Sequence, residues 1–247
     1  MIQMVRKIIF SVLYRRSPCL VLLGSMLPEV RCMWWLAAIT GSFTSRPPRT
    51  SKILLTHLHE MSRMYEVKIF GYTLMSNHIH LLLESPEADA LGRPIRWFMT
   101  QTAKTFHRLR DRPGHFWERR YRACLVEDDL YALAALRYLD RNPVRAGLVE
   151  DPITYTWSSC AIYAGGGSSH LITYHPSYLT LSRYPKVRRR HYRAILAPSS
   201  DPKFDGRDSR WSSQRAVGSP LFLARHLPPG ARRGNIPVFM EILKLRS

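Results

Sequence analysis

Apolar residues first fall into a helical rhythm in TSKILLTHLHEMSRMYEV, residues 50–67, where Ile53, Leu54, Leu58, Met61 and Tyr65 recur at the spacing of one helix face. Thr50 or Ser51 is the expected cap. The period then shortens. Val67 to Met75 reads as a strand, Ser76-Asn77 as a turn, and HIHLLLE as a second strand, so the pair predicts a hairpin. A helix follows Ser85-Pro86, with Pro94 placing its true start nearer Arg93. After the breaker Pro113-Gly114, HFWERRYRACLVE alternates aromatic or apolar residues with arginine and predicts a third strand. DDLYALAALRYLDRN predicts a helix capped by Asp128 or Asp129 and stopped at Asn142-Pro143. A short turn and a further helix lead to three glycines, and KVRRRHYRAIL predicts one more, basic helix.

The order helix, strand, strand, helix, strand, helix predicts an α+β fold: a ferredoxin-like antiparallel sheet with helices on one face. One strand is missing at the front. Residues 1–49 show no clean period of either kind and end in TSRPPRT, a loop signal. Three segments result: an aberrant, poorly ordered segment 1–49, a domain 50–196, and a basic, loop-rich tail 197–247.

Charge narrows the function. Lys plus Arg number 37 against 18 for Asp plus Glu, a formal charge of +19 on 247 residues. That excess argues against an enzyme of small neutral metabolites and for a polyanionic partner, nucleic acid first. Four cysteines, Cys19, Cys32, Cys124 and Cys160, form neither a zinc pair nor a disulfide framework and suit a reducing cytoplasm. The N-terminus imitates a signal peptide, but Arg15, Arg16, Pro28, Glu29 and Arg31 cut its apolar runs below the ~20 residues a membrane helix needs.

Three groups of residues carry candidate chemistry. His78 and His80 stand two apart on a strand, so they share a face, about 7 Å apart along the backbone, and can share one divalent ion. A bare His-x-His is more often two ordinary strand histidines. Tyr138 and Asn142 stand four apart on a helix and stack on one face. Alone, they read better as part of a half-buried stripe and a helix end before proline. Arg119, Arg120 and Arg122, with Phe116, Trp117 and Tyr121 interleaved, offer phosphate forks and stacking platforms for unpaired bases. A solvated strand face is the alternative, and the aromatic interleaving argues against it.

Together, these groups resemble one family. GYTLMSNHIHLLLE, FWERRYRACLVE, LRYLDRNPVRAGLVEDPITYTWSS and HPSYL stand in the order and spacing of the single-tyrosine HUH transposases, the REP-associated tyrosine (IS200-like) group, from about Leu54 to Leu196. RWSSQRAVGSPLFLARHLP resembles the family's C-terminal segment. The resemblance implies a metal-dependent endonuclease and strand transferase on single-stranded or hairpin DNA, cytoplasmic and compatible with a homodimer. It implies that His78, His80 and Asn142 hold Mg²⁺ or Mn²⁺. It makes Tyr138 the nucleophile, which leaves a 5′-phosphotyrosine and a free 3′-OH. Lys104, Arg108, Arg110, Arg119, Arg120, Arg122 and Arg145 are the expected DNA contacts.

The chain departs from the family at its start. The family opens with a central strand close to His-Val-x-x-Arg-Gly-Asn-x-Arg-Gln, which is absent here. Met33-Trp34-Trp35 can only be ATG TGG TGG, and a shift of two bases turns the tryptophan boundaries into Val-Val. A CTN codon for Leu36 then gives Ala, and the codons of Ala37 to Ser42 permit Arg-Gly-Asn-His-Arg-Gln. The reading is a frameshift restored between Ser42 and Lys52, with the first strand lost or garbled and activity impaired. Two other functions stay open: a DNA-binding protein without turnover, and an RNA-binding sheet whose histidines are structural.

Overall fold

The computed structural model describes residues 33–40, 47–86, 91–110, 115–118, 120–127, 130–198, 216–219 and 222–224; for 33–40, 47, 48, 110 and 130 it describes the backbone alone. Five strands form one sheet: β1 (Met33–Thr40), β2 (Lys68–Leu74), β3 (His78–Ser85), β4 (Arg122–Val126) and β5 (Ala216–Val217), in the order β2-β3-β1-β4-β5. All neighbours are antiparallel except β4 and β5. The helices are α1 (Pro47–Tyr65), α2 (Gly92–Arg110), α3 (Leu130–Asp140), α4 (Asn142–Arg145), α5 (Pro176–Leu179) and α6 (Pro185–Leu196).

The α+β class and the antiparallel, ferredoxin-like sheet are those the sequence predicts. A first strand, expected to be lost or garbled, is present and central, so it is not lost. β1 lies between β3 and β4, with Ala38 opposite His80 and Thr40 opposite His78. Its sequence, MWWLAAIT, does not alternate. A strand covered on both faces needs no alternation and reads as an apolar run, so the missing period was no argument against it.

Helices cover both faces, not one. Ile69, Tyr72, Leu74, Ile79, Leu81 and Leu83 pack with Leu54, Leu58 and Met61 of α1 and Ile95, Phe98 and Phe106 of α2. These two are the helices of the ferredoxin-like core. The opposite face, through Phe70, Leu82, Cys124 and Val126, packs on α3, α5 and α6, which follow β4 in the chain. Alternate β3 residues feed both cores, which is why His78 and His80 look toward α3 while Ile79 looks toward α1. Each fully buried Leu or Phe contributes ~1.5–3 kcal/mol.

Three boundaries moved. α1 begins at Pro47, a turn before Thr50 and Ser51, which are buried within the helix rather than capping it; proline needs no amide partner in a first turn. The third strand is only Arg122–Val126. Phe116 stacks on Phe106 at 4.3 Å, and Trp117 donates its indole N–H to Met99 O at 2.7 Å, so both aromatics serve the α2 core and not a base. The segment read as a tail supplies β5, where Ala216 and Val217 pair with Leu125 and Val126. The caps expected at Asp128 or Asp129 lie outside the described residues, as do residues 1–32.

Candidate active site

His78 and His80 project from β3 with ring centroids 4.8 Å apart and nearly perpendicular, closer than the strand repeat alone requires. The Asn77 carboxamide oxygen can only accept, so His78 donates to it through Nδ1 at 2.6 Å and keeps its Nε2 lone pair free of that bond. The Nδ1 of His80 is buried and has no hydrogen-bond partner among the described residues. Burial holds the His80 pKa well below the usual histidine value, with the charges at His78 and Arg145 adding to it. Burial, and then Arg145, lowers His78 as well. Both rings are therefore neutral near pH 7, the form that donates a lone pair to a metal.

Across from the histidines stands α3. The Tyr138 ring meets the His80 ring edge-on, with centroids 5.3 Å apart. Tyr138 is buried, at 4% exposure. α3 ends at Asp140 and α4 starts at Asn142, so Tyr138 and the Asn142 amide sit on either side of a helix break. Pro143 causes it, having no N–H for the carbonyl of Leu139 four residues before. The Thr73 hydroxyl of β2 donates to that carbonyl at 2.8 Å, and the Asn142 side-chain nitrogen donates to Tyr138 O at 3.0 Å. The spacing that places Tyr138 and Asn142 on one side thus survives the break.

α3 is clamped from behind. Arg137 donates to Ile195 O at 2.9 Å and to Ala197 O, and Arg141 donates to Leu196 O at 2.7 Å. These are carbonyls that the end of α6 leaves without helical donors. On the same side Tyr192 donates to the buried Asp140 carboxyl at 2.7 Å, and burial raises that group to about 7 against hydrogen bonds from Tyr192 and Cys160.

Arg145 closes the site. Its guanidinium lies over the Tyr138 ring, 4.3 Å from the centroid, and donates to Asn142 Oδ1 at 2.7 Å. α4 then terminates in a tight turn, with Gly147 at φ 67° and its N–H on Val144 O, and with Leu148 N–H on Pro143 O.

Of the expected DNA contacts, Arg122 shares a cross-strand row with Ala38 and His80 and is exposed at the start of β4. Arg120 is exposed just before it, and Arg145 is at the site itself. Lys104 and Arg108 are exposed on α2, in the helix layer across the sheet from the histidines. Arg119 and the Arg110 side chain lie outside the described residues. Sequence reasoning missed Thr73, Asn77 and the Arg137–Arg141 clamp. Pro143 could have signalled the first, since it orphans the Leu139 carbonyl; no sequence signal reveals the other two.

Among the described residues no group of three or more His, Cys, Asp or Glu could hold a metal, so an ion here would need the Asn142 oxygen beside the two imidazoles. The partnerless His80 Nδ1 and the neutral rings suit that donor set of nitrogen and amide oxygen. Nor, among the described residues, is any helix long and apolar enough to cross a membrane.

Part of the chain is similar to known proteins. Residues 43–142 match the model of the family described as Transposase IS200 like, and the match ends on Asn142. Within that class the resemblance is to the REP-associated tyrosine transposases, which are enzymes. A curated protein of Haemophilus influenzae, provisionally described as a REP-associated tyrosine transposase, is 27% identical over 45% of this chain and 73% of its own. A solved REP-associated tyrosine transposase bound to a REP hairpin aligns at 14% identity with a TM-score of 0.48, over 63% of this chain and 93% of that chain.

Proposed function

We propose that the chain is a metal-dependent endonuclease and strand transferase acting on single-stranded, hairpin-bearing DNA. One observation carries this reading: in a segment that matches the IS200-like transposases, the Tyr138 ring meets His80 at 5.3 Å, and His80 meets His78 at 4.8 Å, across some sixty residues of sequence. His78, His80 and Asn142 would hold Mg²⁺ or Mn²⁺. The ion would polarise the scissile phosphate.

The chain's own residues do the rest. The Tyr138 hydroxyl gives up its proton to water as its oxygen attacks phosphorus, the P–O3′ bond breaks, and the released 3′-oxygen takes up a proton from water. The 5′-phosphate stays on tyrosine as an ester that conserves bond energy, so the strand can be rejoined without ATP. A phenol titrates near ~10 and is a weak nucleophile at neutral pH, so it depends on the geometry that α3 imposes. The clamp of Arg137 and Arg141 on α6 supports that role by fixing the helix. Arg120, Arg122 and Arg145 would hold the backbone next to the site, with Lys104, Arg108, Arg110 and Arg119 extending the contact. A cytoplasmic location and a homodimer go with this reading.

A second reading has its own support. The family match opens at residue 43, so the central strand β1 lies wholly outside it. A protein whose middle strand departs from the family pattern can bind DNA and not turn it over. One assay separates the two: incubation with a labelled hairpin-bearing single strand and Mn²⁺, followed by denaturing electrophoresis. The transposase reading expects a covalent adduct that disappears in Tyr138→Phe. An adduct that survives the substitution removes Tyr138 from its role, and retention of DNA with no adduct at all supports the second reading.

A further inference from the structure

The Arg145 guanidinium is placed where a catalytic arginine has little reason to rest. It covers the ring of Tyr138 at 4.3 Å, and its Nη2 occupies Asn142 Oδ1 at 2.7 Å. The nitrogen of the same carboxamide is turned to Tyr138 O, so Oδ1 is the atom Asn142 has to offer an incoming ion. One monovalent side-chain cation thus touches both Tyr138 and Asn142.

We propose that Arg145 is a cationic latch that stands in for the divalent ion in the metal-free protein and is displaced when the ion binds. The inference rests on the metal-site reading given above. A guanidinium and a divalent ion held on the same Asn142 oxygen are two cations a few ångströms apart and repel. Loading the site therefore releases Arg145 from Asn142, and with it the cover over Tyr138. The residue stands on a one-turn helix and is exposed, so its long side chain can swing without disturbing the core. Once released, the guanidinium is free to fork onto a phosphate beside the tyrosine. Metal binding and uncovering of the nucleophile become one event, and the tyrosine stays sheltered until the ion is present.

The latch opposes the ion, so removing it should tighten metal binding even though a charged residue of the site is lost. Mn²⁺ alone is titrated into the full-length protein without DNA, and free Mn²⁺ is read by electron paramagnetic resonance. Arg145→Ala and Arg145→Gln are expected to bind about ten-fold or more tightly than the parent chain. The glutamine variant keeps an amide donor for Asn142 Oδ1 but carries no charge, so it isolates the electrostatic part. Thermal melts confirm that the variants fold. Equal or weaker Mn²⁺ binding by both variants overturns the latch and leaves the metal site standing, with Arg145 then a support for Asn142. If neither the parent nor the variants bind Mn²⁺, the metal-site reading falls and the latch with it. Binding by the variants but not by the parent is the strongest form of the expected result.

Discussion

His175 shows how much a single buried imidazole can decide. It caps α5 by accepting the Ser177 N–H through Nδ1 at 3.1 Å, which requires that nitrogen to be unprotonated. Burial holds its pKa at about 3, against an ordinary value of 6.5. The unfolded chain therefore takes up a proton below about pH 6.5 that the folded chain refuses until about pH 3. The stability His175 supports is complete above pH 6.5 and is lost as pH falls through that window, by up to ~1.4 kcal/mol per pH unit. His78 and His80, lowered in the same direction, add to the loss. Urea midpoints should drop from pH 7 to pH 5, and His175→Asn, which keeps a capping acceptor, should reduce the drop. An unchanged difference in that variant would mean the other histidines carry it all.

The break between α3 and α4 is the element on which the site depends. A helix interrupted by Pro143 has one carbonyl too many, and Thr73 reaches across from β2 to take it. Thr73→Val keeps the shape and removes the donor. It should cost about 1–3 kcal/mol, the penalty for a buried unsatisfied carbonyl. It should also weaken adduct formation more than DNA binding, because the loosened joint carries Tyr138 and Asn142. Chemical denaturation and the hairpin assay check the two effects separately. Gly71 of the same strand is needed for the fit of α3: a Cβ there would lie 2.9 Å from Leu136 Cδ2 and 3.3 Å from Ser159 Oγ. The helix can approach this strand closely because that position is bare.

For the whole molecule the decisive feature is β1. It separates the β2–β3 hairpin from β4 and β5, and it pairs with His78 and His80 on one side and Arg122 on the other. A chain lacking residues 1–42 loses the strand that joins the two halves of the sheet. It is expected to show no cooperative unfolding transition in urea, with its apolar faces exposed and prone to aggregation. A sharp transition in the shortened chain would mean another segment fills the slot. The central slot asks mainly for backbone hydrogen bonds and apolar side chains, and MWWLAAIT meets both conditions without the family's own strand.

The sequence alone determined the periodic elements and the local pairings: α1, the hairpin β2–β3, α2, α3 and α6, the shared face of His78 and His80, and the i, i+4 relation of Tyr138 and Asn142. Those follow from strand and helix repeats, which act over a few residues. Tertiary structure decided what repeats cannot carry. It made an unpatterned run the middle strand, because burial on both faces abolishes alternation. It turned Phe116 and Trp117 inward, because α2 offered them ring and carbonyl partners. It drew a fifth strand from a polar tail, because β4 had an open edge. And it held Arg145 on Tyr138 and Asn142 across the helix break, with the guanidinium over the ring and on the amide oxygen.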